Sequence, residues 1–125
     1  MGIGTAIRLA TCERAASAVE FALVLPSLAA LLIGGIYTSI LVYSAAGLHI
    51  AVEQAARCYS VNAGQCGSAS TAQTYAANQY YGMNSPVFTA SKQTCGHQVS
   101  GTVTIAFTAV VTNMSVPLSA TACFP

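Results

Sequence analysis

The stretch RAASAVEFALVLPSLAALLIGGIYTSILVYS, Arg14 to Ser44, carries a single charged residue after its first letter, Glu20. From Phe21 to Val52 no position is Asp, Glu, Lys or Arg. An apolar run of about 18 residues or more has the length of a transmembrane helix, since roughly 20 residues rising about 1.5 Å each cross a hydrocarbon core of about 30 Å. Phe21 to Ser44 meets that requirement. Tyr37 and Tyr43 stand where aromatic anchors at the far interface are expected.

Beyond Ser44 no helix breaker interrupts AAGLHIAVEQAARCYSVNAG. Leu48, Val52, Ala55, Ala56 and Tyr59 recur there at spacings of three and four, so the helix is expected to run on to about residue 64, with Asn62 and Gly64 as stop signals. Next, SASTAQTYAANQYYG offers Ser70 with Gln73 three residues later, a capping-box spacing that predicts a short second helix. From Pro86 the texture becomes β. In VSGTVTIAFTAVV, Val99, Val103, Ile105 and Phe107 alternate with Thr102, Thr104 and Thr108, the pattern of a half-buried strand. TNMS reads as a turn, and VPLSATACF as a returning edge strand that tolerates Pro117.

The expected fold class is therefore α+β: a long N-terminal transmembrane helix extending into a small head, with a short helix and an antiparallel β-hairpin or meander. The expected divisions are a leader over 1–15, the long helix over 16–64 with 21–44 in the membrane, and a head over 65–125. Such a head is too small for a comfortable core, and disulfides would compensate. Cys12 precedes the apolar run, whereas Cys58, Cys66, Cys95 and Cys123 all follow it, an even set suited to an oxidising compartment. Four cysteines permit three pairings. We favour Cys58 with Cys66, stapling the end of the long helix to the next loop, and Cys95 with Cys123, tying the start of one strand to the end of its return. Cysteine placement also puts the N-terminus in the cytoplasm and the remainder outside it; Arg8 and Arg14 before the span against Arg57 and Lys92 after it add little.

Composition narrows the chemistry. The net charge of +1 argues against nucleic acid as a partner. The chain contains no Asp, and Glu53 is the single acid after the apolar run, so neither a Ser/His/Asp constellation nor paired carboxylates can be built in the head. His49 reads as an interfacial residue. Cys95 to His97, CGH, lacks a second pair at zinc-ligand spacing, and no phosphate-binding glycine loop occurs. No enzyme activity, cofactor or metal is expected.

Two features of the run suggest assembly instead. A charge within a spanning helix costs about 2.5–3.5 kcal/mol on insertion scales, so Glu20 needs a partner or a position near water, and the positive end of the helix dipole would favour it at the lip. Ala18, Ala22, Pro26, Ala30, Gly34 and Thr38 follow one another at intervals of four, forming a ridge of small side chains that lets another helix approach closely in lipid.

RAASAVEFALVLPSLAALLIGGIY resembles the N-terminal segment of TadE-like proteins, minor pseudopilins of the bacterial tight-adherence (Tad, Flp-type) pilus assembly system. AVEFALVLP, Ala18 to Pro26, is the most specific part; AARC, Ala55 to Cys58, resembles a second block, and the likeness covers roughly residues 13 to 60. In that family a prepilin peptidase cuts after a small residue, usually glycine, five positions before the glutamate. The resemblance thus implies processing between Ala15 and Ala16, with Ala15 standing where glycine is usual. It further implies that the new α-amine of Ala16 is answered by Glu20 of a neighbouring protomer, setting the axial register between subunits. The implied partners are other pilins and pseudopilins, an inner-membrane pilus assembly platform, the peptidase and membrane lipid. The implied location is the bacterial cytoplasmic membrane with a periplasmic head, and possible incorporation in the pilus. Tyr75, Tyr80 and Tyr81 are candidates for a contact surface of the head, with core packing as their simpler role. Two rivals stand beside this reading: a single-pass membrane-anchored extracytoplasmic binding domain outside any filament, and a secreted disulfide domain released by signal cleavage near Ala45.

Overall fold

The computed structural model describes residues 3–108 and 112–125, with side chains from residue 16 onward. The side chain of Ala15, and with it one half of the expected processing site, lies outside the described residues. The chain separates into two compact units, Met1–Thr38 and Ser39–Pro125.

Helix α1 spans Ile3–Val61. It begins inside the segment expected as a leader and ends three residues before the expected stop. Its periodicity changes character along its length. From Ala16 to Ile36 every side chain is exposed although apolar residues occupy all sides of the helix, the pattern of a helix that faces lipid rather than a protein core. From Ser44 on, Leu48, Ala51, Val52, Ala55, Ala56 and Tyr59 form one buried stripe. Asn62 then caps a single turn, α2 (Ala63–Cys66), its side chain accepting the Gln65 N–H at 3.2 Å. Asn62 is thus less a stop than a restart.

Helix α3 covers Ala69–Gln79. Its cap is Ser68, two residues earlier than the expected Ser70. The Ser68 hydroxyl accepts the Thr71 N–H at 3.3 Å, and Thr71 Oγ1 accepts the Ser68 N–H at 3.1 Å. Threonine here completes the reciprocal pair that glutamate or glutamine usually supplies. Ser70 falls in the first turn.

The three strands, β1 (Val87–Gln93), β2 (Gly96–Thr108) and β3 (Asn113–Phe124), form an antiparallel meander in the order β1-β2-β3. Strand β1 lay outside the explicit strand expectation, and β3 begins within TNMS, where Asn113 pairs with Thr108 and Met114 with Phe107. Strand pairing therefore extends through residues expected to turn. Pro117 does lie on an edge strand, where its missing N–H interrupts no central ladder.

Val99, Val103 and Ile105 are buried while Thr102, Thr104 and Thr108 are exposed, the alternation read from the sequence. With Phe88 of β1 and Ala120 of β3 they form one core with Leu48 to Ala56 of the α1 stripe and Ala76 of α3, while Tyr59 packs with Cys66 and Ala72 in a second, smaller cluster. Gly101 occupies the same inward row because the layers approach too closely for a side chain. A Cβ there would lie 2.6 Å from Phe88 Cε1 and 2.9 Å from Leu48 Cδ1.

Candidate assembly surface

Glu20 and the ridge Ala18, Ala22, Pro26, Ala30, Gly34 and Thr38 all lie on α1 within the first unit, and all are exposed there. Spacing by four makes successive ridge residues neighbours, in a row that winds slowly around the helix axis, about 40° per step. A Cβ added at Gly34 or Gly35 would meet nothing within 4 Å, so the surface at that level is open to an approaching helix.

Two hydroxyls along the run bond within the helix itself. Thr38 Oγ1 donates to the Gly34 carbonyl at 2.8 Å, and Ser27 Oγ donates to the Val24 carbonyl at 2.8 Å. Such internal bonds let hydroxyl residues sit in hydrocarbon. Pro26 lies inside the helix and has no N–H for the carbonyl of Ala22, which leaves one acceptor on the ridge without its helical donor. One helix among the described residues is long and apolar enough to cross a membrane. The window that qualifies lies within Ala16–Val61, has a mean hydropathy of 2.1, and buries none of its surface in the protein.

The second unit brings the four downstream cysteines together in pairs. Cys58, in the last turn of α1, bonds to Cys66 of α2, with Cα atoms 5.7 Å apart. Cys95, in the β1–β2 turn, bonds to Cys123 near the end of β3, with Cα atoms 6.3 Å apart. Because Cys123 pairs in register with Gln98, the second bridge closes the meander at one end. At this end His97 meets Tyr59 edge-on with ring centroids 4.5 Å apart, and Ser60 Oγ donates to the Pro125 carbonyl at 2.5 Å.

The three candidate tyrosines divide. Tyr75 and Tyr80 are half-buried and pack against the core, whereas Tyr81 is 73% exposed. Their sequence gave no signal for this split, which depends on how the chain leaves α3. His49 is exposed on α1. Among the described residues no three His, Cys, Asp or Glu side chains gather as a metal site would require.

A lone carboxylate and a ridge of small residues thus lie on a helix that is a candidate membrane span, and a disulfide-tied α+β unit follows it. The family model described as TadE-like protein matches residues 15–57, the stretch whose sequence resembles that family. The matched segment contains Ala15, Ala16, Glu20, the whole ridge and AARC. That family points to a role connected with the Tad pilus. Neither a curated protein nor a solved structure matches the chain.

Proposed function

We propose that the chain is a non-enzymatic, TadE-like pseudopilin that acts in assembly of a Tad/Flp-type pilus. The observation that carries this reading is the TadE-like segment, residues 15–57, with Glu20 at the lip of the uncharged run. The protein is held in the bacterial cytoplasmic membrane by residues 21–44, its N-terminus cytoplasmic and residues 65–125 periplasmic. Prepilin peptidase removes residues 1–15.

Cleavage between Ala15 and Ala16 would create an α-amine at the depth of Glu20 on an adjacent protomer. In a low dielectric the attraction of such a pair greatly exceeds its value in water, and an axial slip would leave both charges unpaired. Glu20 thereby fixes stagger, and the ridge from Ala18 to Thr38 lets pilin and platform helices approach. The disulfide-tied unit presents a contact surface to other pilins and pseudopilins.

The test is Glu20→Ala, expressed in place of the native chain. The variant is expected to insert in the membrane normally, since removing a charge eases insertion, and to abolish pilus assembly when sheared filaments are counted by electron microscopy. Normal piliation would refute the register role.

A further inference from the structure

The segment joining α3 to β1 is built to hold two apolar side chains outward. Tyr80 turns its ring inward, and its hydroxyl donates to the Met83 carbonyl at 3.1 Å. A Cβ at Gly82 would collide with that hydroxyl, so glycine is required for the closure. Asn84 adopts a positive φ of 65°, and its Nδ2 donates to the Thr104 carbonyl at 2.6 Å, fixing the far end of the loop to β2. The result is a preset loop whose Tyr81 and Met83 remain 73% and 55% exposed.

This loop lies beside the start of the second unit's helix. A Cβ at Gly47 would be 3.7 Å from the Tyr80 ring and 3.9 Å from the Gly82 nitrogen. Gly47 is about one turn, or roughly 6 Å, beyond Tyr43, which all but ends the apolar run. The headgroup region on each side of a bilayer is about 5–7 Å deep. Tyr43 and Ile50, both exposed, line an open groove together with Gly47, Tyr81 and the polar Gln54 and Gln79. No charged residue occurs between Phe21 and Val52 or between Cys58 and Ser91, and no charged side chain lines the groove.

We propose that this patch is a second membrane contact: Tyr81 and Met83, with Tyr43, rest in the headgroup region of the bilayer that residues 21–44 cross. The proposal rests on the reading of that run as a membrane span. Tyrosine suits the site because its ring favours the acyl boundary while its hydroxyl reaches water. Gln54 and Gln79 are the polar members of the groove lining, and Tyr43, at the end of the apolar run, brings the groove to the level of the lipid surface. The preset loop loses little conformational freedom on contact. With no basic residue in the patch, neutral phosphatidylcholine is a sufficient lipid.

The chain contains no tryptophan, so each variant introduces a single reporter. Full-length Tyr81→Trp, Met83→Trp and Leu31→Trp proteins would be reconstituted in phosphatidylcholine vesicles carrying bromines either near the headgroup or deep in the acyl chain. All three sites are exposed, so the substitutions leave the core untouched. Expected are a blue-shifted emission for Tyr81→Trp and Met83→Trp, quenched more by shallow than by deep bromines, and the opposite order for Leu31→Trp. Deep quenching of Leu31→Trp with water-like, unquenched emission from both loop variants would overturn the membrane contact alone. A blue shift in the loop that grows with protein density but ignores bromine would also overturn it, identifying a second copy as the occupant. Absence of quenching at Leu31→Trp would overturn the span itself, and the loop contact with it.

Discussion

Leu48→Ala probes the contact between α1 and the sheet, on which the second unit depends. Leu48 is 1% exposed, and its Cδ1 reaches within 2.9 Å of the position a Cβ would take at Gly101. Truncation removes three carbons from the core, a transfer loss of about 2.4 kcal/mol at ~0.8 kcal/mol per methylene. A residual cavity of roughly 40 Å³ adds about 1 kcal/mol at ~24 cal/mol per Å³. The neighbouring Phe88 ring can relax into part of the space, so a net loss of about 3 kcal/mol is expected. In a unit of the size of Ser39–Pro125, each kcal/mol lowers Tm by about 4–8 °C, which places the shift at roughly 12–24 °C. The assay is thermal unfolding in detergent micelles followed by near-ultraviolet circular dichroism. That signal reports the packed rings of Tyr59, Tyr75 and Tyr80, whereas helicity in the micelle-embedded part of α1 would mask the far-ultraviolet transition. A shift below about 4 °C would refute Leu48 as a keystone of the helix–sheet contact.

Gly101→Ala alone should destabilise through its contacts with Phe88 and Leu48, and in the Gly101→Ala/Leu48→Ala double variant the losses should sum to less than the two singles by about 0.5 kcal/mol or more, because one clash is relieved; strict additivity would contradict the packing. Replacing Cys95 and Cys123 together by serine should cost about 3.6 kcal/mol and replacing Cys58 and Cys66 about 2.5 kcal/mol, since the loops closed differ in separation, 28 residues against 8. Reversal of that order in the same thermal assay would show that loop entropy does not govern the difference. Ser44 is fully buried and its hydroxyl has no hydrogen-bond partner, so Ser44→Ala should raise stability by about 1 kcal/mol, read as a higher Tm; a lower Tm would mean that the hydroxyl is bonded after all.

What could be read from the sequence follows from how strong each local signal is. The uncharged run declares a long helix because nothing in it opposes burial in lipid, and β2 declares itself because valine, isoleucine and threonine alternate over many residues. Strand β1 is quieter: VFTASKQ places just Phe88 and Ala90 inward, and its Val87 is exposed, so the period-2 pattern fades. Ser68 was missed as the cap because its partner is Thr71 rather than a glutamate or glutamine, a weaker form of the same reciprocal bond. Asn113 to Ser115 resemble a turn locally, yet cross-strand pairing with β2 overrides that preference. Glu20 and the ridge stand out in the sequence alone, because both lie on one otherwise uncharged run. The structure adds how Thr38 and Ser27 hide their hydroxyls along that helix, and how Gly82 separates an inward Tyr80 from an outward Tyr81.

The most direct test of the pseudopilin reading is the intact mass and N-terminal sequence of the protein recovered from the membranes of piliated cells. The account predicts a mature chain beginning at Ala16, so that Glu20 becomes its fifth residue. A chain that still carries Ala15 and the residues before it, in cells whose pili assemble and depend on this protein, would contradict the pairing of Glu20 with a newly made terminus.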